Sequence, residues 1–165
     1  MEILGDYRGF MSQVESLLAE LSIDKDELTQ CDTLAYEVNS NERYEEVKQK
    51  LVQSARVLSE REVNGRLVSI LAVDPPLKTD RWIIPYIELL QPKPGREYDE
   101  GLDCAFFVTA LPLTHFLEKH TDIAFDKKGL ANKLNSYVEY VGDEVSFKLH
   151  DKHFGAVVEL ERHFD

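Results

Sequence analysis

The chain has 165 residues, enough for one domain, or two small intertwined halves, with a substantial core. Hydrophobic residues at 43% and charged residues at 30% exclude a disordered chain, and 31 acidic against 19 basic residues give a net charge of -12 that sets the average surface against nucleic acid. Its longest basic cluster, Lys127-Lys128, is too short to make a local exception, and no apolar run approaches the roughly 20 residues a bilayer span requires.

Residues 1–30 read as a helical extension. Phe10, Val14, Leu17, Leu18 and Leu21 recur at three- and four-residue steps, which predicts one buried helical face over residues 6–21. The polar stretch 22–30 reads as a short capped turn or connector. Residues 31–38 predict a strand. Asn39-Ser40-Asn41 then offers side-chain caps for a helix to about residue 55, with Tyr44, Val47, Leu51 and Ala55 as its buried stripe.

Residues 56–63 and 66–73 flank Asn64-Gly65, the strongest short-range signal for a two-residue hairpin turn. Pro75-Pro76 is expected to end that hairpin, because proline cannot donate to a sheet ladder. A further strand over residues 82–90 is almost continuously apolar except for Glu88. Strict alternation places Ile84, Tyr86 and Glu88 on one face, with Ile83, Ile87 and Leu89 on the other.

A first module, residues 31–91, thus runs strand, helix, strand, strand, strand. The loop Gln91-Pro92-Lys93-Pro94-Gly95 carries the chain onward. Residues 103–110 read as a strand and 112–120 as a short helix with Pro112 near its first turn. A loose segment around 126–129 leads to strands at 136–141 and 144–149 about a Gly142-Asp143 turn. This second module, residues 103–150, repeats the order with one strand less defined. In the tail, 151–165, residues 154–163 read as a closing helix in preference to an edge strand. The expectation is a single α+β domain: two βαβββ modules forming a cupped mixed sheet, with an added N-terminal helix. A ferredoxin-like α+β domain is the natural competitor.

Short segments carry a more specific resemblance: Cys31-Asp32-Thr33, Glu62-Val63-Asn64-Gly65-Arg66, Tyr86-Ile87-Glu88-Leu89, Pro94-Gly95 with Tyr98, Glu100-Gly101, and Phe147-Lys148-Leu149-His150. In order and spacing the chain resembles the YecM family, small bacterial proteins of the glyoxalase/bleomycin-resistance (vicinal oxygen chelate, VOC) superfamily described as candidate metal-binding proteins. The resemblance runs from about residue 31 to 150. It implies a cup lined by inward-pointing strand residues, with a His, a Glu and a second His holding one divalent ion.

Here Glu88 keeps its place, whereas Thr33 stands at the first His position and Cys104 at the second. His150, near the end of the last strand, is retained and is placed to face the same cup. The resemblance therefore implies a ligand pocket of Thr33, Tyr86, Glu88, Cys104 and His150, with Glu88 as the candidate catalytic group. The cofactor it implies is a divalent metal (Zn, Ni, Fe or Mn) on Glu88, Cys104 and His150. A threonine hydroxyl is a poor ligand for such an ion, and a cysteine binds it only as a thiolate.

Each of these residues also has a plainer reading. Cys104 serves equally as a small buried hydrophobe, and Glu88 either faces a polar cup or the solvent side of the sheet. His115 and His120, five apart, do not share a helical face, and His153 and His163 sit in a charged tail. Two cysteines without CxxC spacing, and no signal-peptide pattern, lead to the expectation of a reducing cytoplasm.

Two functional expectations follow. The first is a degenerate cup that binds a small molecule or a protein partner without the family's His-based metal site. The alternative is a metal-dependent glyoxalase-like isomerase or dioxygenase using Glu88, Cys104 and His150. Neither nucleic acid nor membrane is an expected partner, and monomer and dimer are both open.

Overall fold

The computed structural model describes residues 1–164, apart from the side chains of residues 160, 162 and 164. Its elements in chain order are α1 (Tyr7–Glu20), β1 (Leu28–Glu37), α2 (Asn41–Leu51), β2 (Ala55–Val63), β3 (Arg66–Lys78), β4 (Ile83–Leu90), β5 (Gly101–Thr109), α3 (Leu113–Lys119), β6 (Tyr137–Val141), β7 (Ser146–His150) and α4 (Phe154–Phe164). The strands form one mixed sheet in the order β2-β3-β4-β1-β5-β7-β6. Within each half one ladder is parallel, β1 with β4 and β5 with β7, and the antiparallel β1–β5 ladder joins the halves.

Helix α1 starts where Asp6 accepts from the Gly9 N–H at 2.9 Å, and α2 where Ser40 accepts from the Arg43 N–H at 3.1 Å. Their apolar stripes, Phe10, Met11, Val14 and Leu18 on α1 and Tyr44, Val47 and Leu51 on α2, pack on one face of the sheet. They join Leu34, Leu71, Ile87, Phe107, Phe147 and Leu149 in the main core. The connector at 22–30 contains a capping box, with Asp24 and Glu27 satisfying each other's backbone N–H groups. Strand β1 begins there, at Leu28, three residues earlier than its apolar run suggests.

Asn64 and Gly65 both have positive φ, 51° and 80°, as a right-twisted two-residue hairpin requires. Pro75-Pro76 does not end β3. The strand bulges between Ala72 and Leu77, so neither proline has to donate to β4, and pairing resumes at Leu77–Ile84 and Lys78–Ile83. The same irregularity breaks the alternation of β4. Ile84 joins Ile87 and Leu89 in the main core, Tyr86 packs on the opposite face, and Ile83 is exposed.

The α+β class and the cupped mixed sheet are as expected, with the second module built from three strands. In place of a fourth strand the chain forms a 3-10 turn, Lys128–Ala131, and a single bridge between Asp126 and Glu139. Asn132 consumes local donors here, accepting from the N–H groups of Leu134 and Asn135, each at 3.1 Å. The tail is the helix α4, and it lies on the other face of the sheet. There Phe154 and Val158 meet Ala35, Ile70, Leu90, Cys104 and Phe106 in a second apolar cluster.

Candidate functional site

The face of the sheet covered by α4 is built by period-two alternation. Strand β1 supplies Ala35 and Glu37, β4 supplies Tyr86, Glu88 and Leu90, and β5 supplies Cys104 and Phe106. Lys148 and His150 come from β7, Tyr137 and Glu139 from β6. Register sets Ala35 between Glu88 and Cys104, and sets Phe106 beside Lys148.

Asp32, fully buried, fastens α4 over this face. Its Oδ2 accepts from the Phe154 N–H at 2.8 Å, while its Oδ1 accepts from the Thr33 hydroxyl at 3.0 Å. A carboxylate at the first N–H of a helix satisfies an orphan donor and the positive end of the helix dipole together. Gly155 lets the helix come close, since a Cβ there would meet the Tyr86 hydroxyl. Further along, Arg61 on β2 pairs with Glu161 of α4.

Between sheet and helix lies a cavity of about 500 Å³, lined by Glu37, Arg66, Glu88, Cys104, Lys148 and Glu161 among others. A smaller chamber of about 100 Å³ shares part of that wall and is lined by Glu88, Phe106, Asn135, Tyr137, Lys148, His150 and Phe154. His150 is 2% exposed, and neither ring nitrogen makes a hydrogen bond. Its Nε2 stands 3.4 Å from Asp32 Oδ2, without hydrogen-bond geometry. Asn135 Oδ1 is likewise buried without a partner.

The electrostatics are mixed. Burial pushes the Glu88 carboxyl above its ordinary value, Lys148 and Arg66 oppose this, and Glu139 and Glu161 add to it. Burial works against the charge on Lys148, yet Glu88, Cys104, Glu139 and Tyr137 together raise its pKa. At the rim, Arg66 Nη1 donates to both oxygens of Glu37 at 3.0 Å and to the Gln91 carbonyl at 3.0 Å. Burial lifts Glu37 even so.

Glu88, Cys104 and His150 all face the cup, Glu88 with Cys104 in the larger cavity and Glu88 with His150 in the chamber. Thr33 is fully buried and bonded to Asp32, behind the cavity wall. Tyr86 packs on His153 and Phe154, with ring centroids 5.7 and 6.0 Å apart, and lines a separate cleft along α4. No three His, Cys, Asp or Glu residues among the described residues are grouped to hold a metal ion. Burial also drives the Cys104 thiol well above its usual pKa, away from the thiolate a metal needs. The donors present do not fit a divalent metal.

Sequence reasoning passed over Lys148, Asn135, Tyr137 and Asp32. Lys148 was findable, because it stands two residues before His150 on the same strand face. His120, by contrast, is a structural group, its Nε2 2.8 Å from Glu27 Oε1 beneath α3.

A family profile described as YecM protein matches residues 1–149. The chain belongs to the YecM family. No curated protein matches this YecM-family sequence. Among solved structures, it is similar to a structural-genomics protein, EC4020, at TM-score 0.80 and 20% identity, over 97% of this chain and 91% of that one. It is also similar to Streptomyces coelicolor methylmalonyl-CoA epimerase in complex with 2-nitronate-propionyl-CoA, at TM-score 0.53 and 14% identity, over 74% and 96%. A methylmalonyl-CoA epimerase in complex with methylmalonyl-CoA and NH4+ gives 0.52 and 14%, over 74% and 94%. At such identities the likeness carries the fold alone, a glyoxalase-like cupped mixed sheet.

Proposed function

We propose that this YecM-family protein binds a small polar molecule in the cup between the sheet and α4, without a bound metal ion. The observation that carries this reading is His150: a histidine 2% exposed, neither ring nitrogen hydrogen-bonded, bordering a chamber of about 100 Å³. An unpaired buried polar group costs about 1–3 kcal/mol, a cost that a ligand bonding to it removes. The methylmalonyl-CoA epimerases, which share the fold, are in complex with 2-nitronate-propionyl-CoA and with methylmalonyl-CoA, and this supports a small molecule as the occupant. That no three His, Cys, Asp or Glu residues among the described residues are grouped to hold an ion supports the metal-free form.

Both cysteines are free and buried, in keeping with a reducing compartment such as the cytoplasm. The test is a screen of small polar metabolites against the full chain in EDTA, read by melting temperature and by His-labelled NMR. Binders should raise the melting temperature and shift the His150 ring resonances, while divalent ions added without EDTA leave the melting temperature unchanged. A metal-induced rise in melting temperature, or binding that leaves the His150 ring unmoved, would overturn the reading.

A further inference from the structure

The inner chamber holds one cation and few acceptors, and together they restrict the ligand. Lys148 Nζ lies 4.8 Å from the Phe106 ring centroid and 4.9 Å from that of Tyr137, and among the described residues no carboxylate comes within ion-pairing distance of it. Aromatic faces stabilise an ammonium, but one withdrawn from bulk water still gains from a direct anionic partner. The same lining supplies acceptors, Asn135 Oδ1 and the Glu88 carboxyl, and His150 offers one donor and one acceptor when neutral.

A ligand that satisfies both sides carries an anionic oxygen for Lys148 and a hydroxyl to donate. With Glu88 and Glu139 close by, a single lysine suits a monoanion and not a dianionic phosphate. Size narrows the choice further. A cavity of roughly 150 Å³ takes benzene, so the chamber's volume suits a head of about four to six non-hydrogen atoms. Phe106 and Phe154 give its carbon chain an apolar wall.

We infer that the cup takes the head of a short hydroxycarboxylate, its carboxylate on Lys148 and its hydroxyl donating to an acceptor of the chamber wall, with any tail extending into the larger cavity. This rests on the cup being the ligand site. The full chain is titrated in EDTA with glycolate, lactate, propionate and propane-1,2-diol, followed by calorimetry and by the His150 ring resonances.

Glycolate or lactate should move those resonances and bind at least tenfold more tightly than propionate or the diol. Lys148→Met, which keeps an unbranched stem against the two rings, should reduce the acid to the affinity of the diol while the far-UV spectrum stays unchanged. If the diol matches lactate in the wild type, the cup stands as a ligand site and the carboxylate role of Lys148 is lost. If a metabolite from the screen moves the His150 ring and none of these four does, the hydroxycarboxylate class is wrong. If nothing moves it, the cup reading and this inference fall together.

Discussion

A buried histidine nitrogen without a hydrogen bond is a stability deficit of about 1–3 kcal/mol. His150 carries that deficit between Phe106 and Phe154, their ring centroids each 6.4 Å from its own. Replacing it by phenylalanine keeps the aromatic contacts and removes both orphans. Asp32 retains its bonds to the Thr33 hydroxyl and the Phe154 N–H. His150→Phe should therefore raise the unfolding free energy by about 1 kcal/mol, moving the melting point by roughly 2–4 °C in a chain of this size, and should abolish ligand binding. A loss of stability in urea titration would assign His150 a structural bond to Asp32 instead. At this scale strand alternation set Glu88 beside Tyr86 and left its face open, and it was the family resemblance that gathered Glu88, Cys104 and His150 into one cup. The sequence concealed Asn135, whose place depends on the 3-10 turn and the β6 pairing around it, and it concealed the use of Asp32, whose partner lies 122 residues away.

The element that defines the cup is α4, and its position was not legible. Its residues favoured a helix over an edge strand, but the surface it covers is fixed by a cap from another strand and a close approach at Gly155, neither of which leaves a local pattern. Asp32→Ala leaves the Phe154 N–H without its acceptor, a change worth about 0.5–2 kcal/mol at a helix N-terminus. Native-state hydrogen exchange should show the first turn of α4 opening by about that amount while the β1 and β5 ladders hold their protection. Equal loss in the ladders would mean that Asp32 supports the sheet and not the helix. Removal of residues 152–165 should uncover Ala35, Ile70, Leu90, Cys104 and Phe106, and so produce strong binding of a hydrophobic dye by an otherwise folded chain.

Across the whole molecule, local periodicity conveyed the order strand, helix, hairpin in both halves. It could not convey that β1 and β5 lie side by side at the centre, since strand neighbours are chosen by crossovers and packing. Charge acts at the same scale and makes stability depend on pH in two opposed ways. At pH 7 a net charge of -12 repels itself, and burial raises the pKa of the Glu37 and Glu88 carboxyls, so that both effects favour the fold as pH falls.

Glu60 works in the other direction. Its Oε2 accepts from Lys48 Nζ at 2.8 Å, the Ser69 hydroxyl at 2.6 Å and the Tyr44 hydroxyl at 2.9 Å, tying β2 to α2 and β3. Chiefly through Lys48 and then Ser69, its pKa falls from 4.5 to about 2. A depressed carboxylate contributes stability that is fully present above the unfolded value and is lost as pH drops through the folded one, so this contribution fades between pH 4.5 and about 2. Urea midpoints should accordingly pass through a maximum in mild acid and then decline. Glu60→Gln should lower the midpoint at pH 7 and flatten the decline below pH 4.5, with Glu27 and Glu100, also held below their ordinary values, supplying the slope that remains. Superimposable curves for the two proteins below pH 4.5 would show that the Glu60 cluster contributes nothing to acid stability.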